Sequence, residues 1–322
     1  MKLDIRYRMH FRYSEPVRES QNEVRVRPRD DETQRVVSFC LTNEPPTKVL
    51  SAFDYWGTAV EQVGVRIAHT ALELTAETSV DTLPRPAPPP DTPVEALADP
   101  DFRARHFEFL DPSPHVDWQT GDSVAARAAA ATHSARSVPD LLAAVVAEVR
   151  GALRYESGAT DIGVSLEELL AGGAGVCQDF AHLAIGMLRS VGVPARYVSG
   201  YLFAADETAA GDETAEMVSV QTHAWIEAAV PGAGWCAFDP TNGGTVGERH
   251  VVIGCARDYG DVPPVRGVFM GGATAEVEAE VVIGKRPAVE PAPSPGARSW
   301  PRAVTQGPPL GSRPQQHQQQ QQ

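Results

Sequence analysis

Cysteine is scarce: Cys40, Cys177, Cys236 and Cys255 are the only four in 322 residues, and no two stand as C-x-x-C. Thiols so sparse argue against a disulfide framework and a structural zinc site, and leave the chemistry of one thiol as the question. Basic residues are few as well, with 28 Lys and Arg against 42 Asp and Glu and a net charge of −14. Nucleic acid is therefore not an expected partner, since phosphate binding rests on Lys and Arg displacing counterions. Long apolar runs are missing: the longest without glycine or proline is 141–147, against about 20 residues for a membrane span. No membrane partner is expected. The start, MKLDIRYRMH, is charged throughout and lacks an apolar leader core, so cytoplasmic residence is the expectation. No EF-hand loop and no phosphate-binding glycine loop occurs, so neither metal nor other cofactor is expected.

What is present is a 42% hydrophobic chain, long enough for two domains. Charge is uneven, with +4 on 285–322 and −16 on 84–284. Proline is uneven too: nine of the 27 lie in 84–114 and eight in 287–314. The first cluster predicts a Pro-rich linker over 84–118 that opens with PRPAPPPDTP, a stiff, extended connector. The second, which runs into QQHQQQQQ with three branched apolar residues, predicts a disordered tail over 285–322.

Before the linker, period-2 alternation at Leu3, Ile5 and Tyr7, at Val24 and Val26, and at Val63, Val65 and Ile67 predicts a β-rich domain over 1–83. After it the period changes. Alanine-rich helical spacing covers 124–135 and 139–153, and Phe180, Ala181, Ala184, Met187, Leu188 and Val191 recur at three and four residues until Gly192 and Pro194 end the helix. Strands return over 197–203, 217–230, 235–239 and 251–252. Helices followed by strands without β-α-β alternation predict an α+β domain with an antiparallel sheet over 119–284.

Three local signals carry chemistry. AGGAGVC ends in Cys177 at the first turn of an amphipathic helix, where the helix N-terminus favours an anionic thiolate. The glycines before it would let a substrate backbone approach and free N–H groups to face an oxyanion. A buried small apolar residue is the equal alternative for a cysteine. His182, five positions on, lies about 140° around the helix and faces away from Cys177, as a packing or surface residue. Residues 221–239 read as a β-hairpin turning at Pro231-Gly232-Ala233-Gly234. Alternation puts His223, Trp225 and Glu227 on one face, and a register summing to about 462 to 464 sets Asp239 within roughly 5 to 8 Å of His223. Cys236 and Phe238 fall on the apolar face. Alone, Asp239-Pro240-Thr241-Asn242-Gly243 reads as a strand-ending turn; with the capped thiol and the histidine it completes a nucleophile, base and orienter.

The segments GVCQDFAHLAIGMLRSVGVPARYVSGYL at 175–202, THAWIEAAVPGAGWCAFDPTNG at 222–243 and RDYGDVPPVRGVF at 257–269 resemble the bacterial transglutaminase-like superfamily, as does Phe11-Arg12-Tyr13-Ser14-Glu15-Pro16-Val17 of its N-terminal domain. The resemblance implies a papain-like core, a helix bundle packed on an antiparallel sheet, preceded by a β-rich domain. It further implies Cys177 as nucleophile, His223 as base and acid, Asp239 as orienter, and a protein or peptide substrate. The implied enzyme is a peptidase or amidase if water resolves the thioester, and a protein-glutamine amine transferase if an amine does. A catalytically silent peptide-binding scaffold is the third implication. Gln221, Thr222, Cys236 and Cys255 depart from the usual family pattern and bear on substrate preference. Tyr155 and Gln178 are possible helpers, Arg257-Asp258-Tyr259 could brace the site, and the acidic run 206–216 could favour cationic substrates.

Overall fold

The structure is a computed structural model that describes residues 1–85, 91–204 and 217–286. One compact unit spans Met1–Pro287; the second, Ala288–Gln322, and with it most of the predicted tail, lies outside the described residues, as does the acidic run 206–216. The long strand Lys2–Val24 organises the β-rich part. Its even alternation buries Leu3, Ile5, Tyr7, Met9 and Phe11 on one face. The first half pairs antiparallel with His69–Thr82 and Ala275–Lys285. Its second half, after an irregularity near Glu19, pairs with Ala59–Val65 and Val265–Met270. Gln34–Glu44 and Met217–Val220 complete the outer rows.

Met217–Val220, Val265–Met270 and Ala275–Lys285 therefore join the first strand's sheet, although they fall in the stretch 119–284 assigned from sequence to the second domain, apart from Lys285. The register runs from Leu3 opposite Lys285 to Tyr13 opposite Ala275. The alternation in AEVEAEVVIGK carries this signal, but alternation fixes a strand and not its partner.

Half of PRPAPPPDTP, residues 86–90, lies outside the described residues. The rest of the linker folds into short helical turns, Val94–Ala98, Pro100–Arg105 and Phe107–Phe109. Asp99 accepts the Phe102 N–H and Pro100 sits at the first helical position, both ordinary starts. Leu97, Phe102, Val116 and Trp118 are buried in the helical core. Four apolar anchors outweigh the stiffness of the prolines around them.

Helices Ser123–Thr132, Val138–Ala152, Leu166–Gly172 and Cys177–Ser190 follow. Ser137 and Ser165 cap two of them through side-chain oxygens. The last is wrapped: Phe180, Leu183, Ala184, Met187 and Leu188 are buried, and it packs on an antiparallel sheet. Strand order there is Gly244–Thr245, Gly234–Asp239, Thr222–Val230, Ala195–Leu202, His250–Ala256. Ala224, Ile226 and Ala228 face the helices, while Tyr201, Val251 and Ile253 join the core of the N-terminal sheet. Tyr201 also donates its hydroxyl to Val26 O at 2.8 Å. No helix among the described residues is long and apolar enough to cross a membrane.

Gly200 sits where these layers meet. A Cβ there would fall inside contact distance of both Val251 O and the Trp225 ring. Gly200→Ala should destabilise the protein by about 3 kcal/mol, because backbone carbonyl and a buried indole cannot both withdraw. A denaturant melt checks this.

Candidate active site

Cys177 opens its helix because the chain before it is held. Gly173, at φ +64°, caps Leu166–Gly172 in the left-handed region, and 174–175 then pair in parallel with 154–155. Asp179 Oδ2 accepts the Val176 N–H at 2.9 Å and the Thr160 hydroxyl at 2.6 Å, fixing the first turn. A Cβ on Gly175 would lie 2.7 Å from Asp179 Oδ2. The glycines thus serve the chain's own turn and close packing, where the sequence suggested room for a substrate backbone. Cys177 itself is 9% exposed and lines a cleft of about 560 Å³.

His223 lines the same cleft from the strand Thr222–Val230. The hairpin pairs Ile226 with Phe238 and Glu227 with Ala237, a register that places Asp239 diagonal to His223 on one face. His223 Nε2 meets Asp239 Oδ2 at 2.9 Å, both buried. The other ring nitrogen, Nδ1, is buried without a hydrogen-bond partner. Burial works to lower the His223 pKa, but the Asp239 hydrogen bond and the neighbouring Cys177 thiol outweigh it and hold the imidazolium up to about 10. Burial likewise works against the Asp239 carboxylate, yet hydrogen bonds from His223 and His250 keep it well below the usual carboxylate range.

Asp239 is more heavily bonded than the sequence suggested. Its Oδ1 accepts the backbone N–H groups of Thr241 and Asn242 at 3.0 and 3.1 Å, and its Oδ2 accepts Asn242 Nδ2 at 2.7 Å. The turn-forming Asp-Pro-Thr-Asn-Gly run contained that signal. His250, which the sequence reading missed, adds its Nε2 at 3.3 Å. It starts a strand paired with Ala195–Leu202, a long-range placement that no local pattern encodes. Trp225 backs both imidazoles, stacked at 6.0 Å on His223 and edge-on at 5.2 Å to His250.

His223, Asp239 and His250 bring three possible metal ligands within 4.8 Å of one another. Their protons make them a hydrogen-bonded set instead. The Gly247 N–H donates to His250 Nδ1 at 3.2 Å, so Nε2 carries the proton and points it at Asp239. Asn242 Nδ2 delivers another to the same oxygen. A metal ion there would have to displace both.

Of the other sequence candidates, Tyr155 and Gln178 line the cleft. Arg257 does not: it pairs with Asp261 at 2.9 Å and lies over Trp56. Cys236 is buried against the helices, and Cys255 lies 3.5 Å from Arg29 Nη1. His182, expected on a packing or surface face, is buried.

Comparison with known proteins follows this geometry. The transglutaminase-like superfamily core matches residues 123–240, and the bacterial transglutaminase-like N-terminal region matches 3–81. The uncharacterised Mycobacterium leprae protein ML0607 is 34% identical over 277 residues, covering 84% of this chain and 94% of its own. The chain belongs to the transglutaminase-like superfamily. The uncharacterised Mycobacterium tuberculosis protein Rv2569c is also 34% identical, over 82% of this chain and 86% of that one. A structure described as "a Putative Cysteine Protease from Cytophaga hutchinsonii" superposes with a TM-score of 0.68 over 87% of this chain and 90% of that one. At 23% identity that likeness is one of fold, and the fold is the transglutaminase-like, papain-like one expected.

Proposed function

We propose that this transglutaminase-like protein is a cysteine acyl-transfer enzyme that cleaves amide or peptide bonds through a thioester. One observation carries the reading: Cys177 and His223 line one cleft, with His223 Nε2 committed to Asp239 and Nδ1 left free. Cys177 Sγ attacks the carbonyl carbon, and the oxyanion meets the Cys177 N–H, which as the first of its helix has no intrahelical acceptor. His223 Nδ1 gives its proton to the leaving nitrogen as the C–N bond breaks. Water then attacks the thioester carbonyl, its proton goes to Nδ1, and the C–S bond breaks, so the acid leaves with Sγ and the protonated His223 as they began.

Apart from His223, the described residues lining the cleft carry no formally charged side chain, among them Tyr155, Gln178, Tyr197, Ser199 and Gln221. This supports an uncharged group beside the scissile bond, as burying an unpaired charge against such walls is costly. Water as the acceptor makes the protein a peptidase or amidase. Incubation with a glutaminyl peptide and a primary amine, followed by mass analysis, tests the acceptor. We expect loss of ammonia or peptide cleavage without amine incorporation. A mass gain matching the amine would move the reading to amine transfer, and an unchanged peptide alongside an unreactive Cys177 would leave only a binding scaffold.

A further inference from the structure

The helix that begins at Cys177 carries two buried polar residues on one face, His182 and Arg189, seven positions apart and absorbed by no step above. Both reach the 257–261 segment. Arg189 Nη2 donates to Arg257 O at 2.7 Å, and the Tyr259 N–H donates to His182 Nε2 at 3.2 Å. Asp258 between them accepts the Gly260 N–H on Oδ1 and the His115 N–H on Oδ2, each at 2.9 Å. The short turn Tyr259–Asp261 is thus pinned from two sides. Its first residue, Tyr259, lines the Cys177 cleft and lies edge-on to Tyr197, another lining residue, at 6.4 Å.

We propose that His182 is a positioning residue: by accepting the Tyr259 amide proton it sets the tyrosine ring as the substrate-binding wall of the cleft, registered to the helix that bears Cys177. The inference rests on the cysteine acyl-transfer reading. The role demands that Nε2 keep its lone pair, and the surroundings ensure it. Burial lowers the His182 pKa to about 3; Asp258 works to raise it, and His115 and Arg189 lower it further. The ring is clamped in orientation as well, parallel to His115 at 5.7 Å and tilted against Tyr197 at 5.2 Å. A purely apolar residue would fill this space but leave the Tyr259 N–H with no acceptor.

The test compares two alkylators of Cys177, located by mass analysis: iodoacetamide, too small to need the wall, and benzyloxycarbonyl-alanyl-glycyl chloromethyl ketone, whose saturation kinetics give KI and kinact separately. His182→Leu and Tyr259→Ala should each raise KI about tenfold, with kinact and the iodoacetamide rate within about twofold of wild type. The double variant should be no worse than Tyr259→Ala alone. His182→Gln, which can present an oxygen near the Nε2 position, should recover most of the lost affinity. Should His182→Leu not fold, His182→Asn, polar but too short to reach the amide, takes its place. An unchanged KI in Tyr259→Ala, an equal His182 effect with and without the tyrosine ring, or no recovery by Gln would overturn the inference while leaving the thiol reading intact. Failure of both reagents to label wild-type Cys177 would overturn the thiol reading and this inference with it.

Discussion

Cys177→Ala should cut acyl transfer about a thousandfold or more while the protein keeps its fold. The catalytic loss is large because the variant has no atom that can form the thioester, and His223 and Asp239 acting without it provide only general-base assistance to water. The structural loss is small: Cys177 is a first-turn residue, 9% exposed, and Ala removes one sulfur atom while the Asp239 bond to His223 stays in place, a change of about 1 kcal/mol. Turnover of the glutaminyl peptide and a denaturant melt, read side by side, check both halves. Cys236→Ala serves as the contrast. Burial pushes the Cys236 thiol up to about 11, and the Cys255 thiol likewise, so both remain protonated fillers at neutral pH, and Cys236→Ala should retain turnover.

Asp239→Ala should damage both stability and catalysis. The side chain, itself buried, accepts five hydrogen bonds, from His223, His250, Asn242 Nδ2 and two backbone N–H groups. Removing it strands buried donors and an unpaired imidazolium, a loss of at least about 3 kcal/mol. Turnover should fall by about two to four orders of magnitude, since the imidazole loses its orientation and the partner that keeps it charged against desolvation.

The pH dependence follows from the same pair. Asp239, depressed below its ordinary 3.8, stabilises the fold at all pH above that value and loses the contribution as acid titrates the folded carboxylate. His223, raised, contributes in full below the ordinary imidazole value of 6.5 and loses its contribution as pH rises from there through about 10. Wild type should therefore lose stability between those two values, and Asp239→Ala should lose much of that slope. Melting midpoints across this range check it.

How much of this was legible beforehand depends on range along the chain. Although the register that sets Asp239 against His223 is an assumption at the level of sequence, the helix start at Cys177 and the hairpin over 221–239 are local properties, written in glycine placement, amphipathic spacing and strand alternation. So was the turn whose Asn242 supports Asp239, although its hydrogen bond was not anticipated. The return of 265–285 to the first strand's sheet was not legible, because AEVEAEVVIGK pairs as well in principle with any strand of matching pattern. His250, and the Tyr259 partner of His182, are illegible for a related reason. Each meets its partner through sheet order or a loop 77 residues away, as with His182 and Tyr259, and an isolated histidine has no spacing to read. Proline content says nothing of where the later linker residues lie; Phe102 and Trp118, both in the helical core, decide that.

The central claim is that Cys177 is a nucleophile served by His223, and the rate of iodoacetamide labelling at Cys177 near pH 7 measures it most directly. In wild type that rate should exceed free cysteine's by about tenfold or more, because the cleft both residues line sets a cationic His223 beside the thiol. In His223→Ala that advantage should vanish. A wild-type rate no faster than free cysteine near pH 7, unchanged by His223→Ala, would contradict the account.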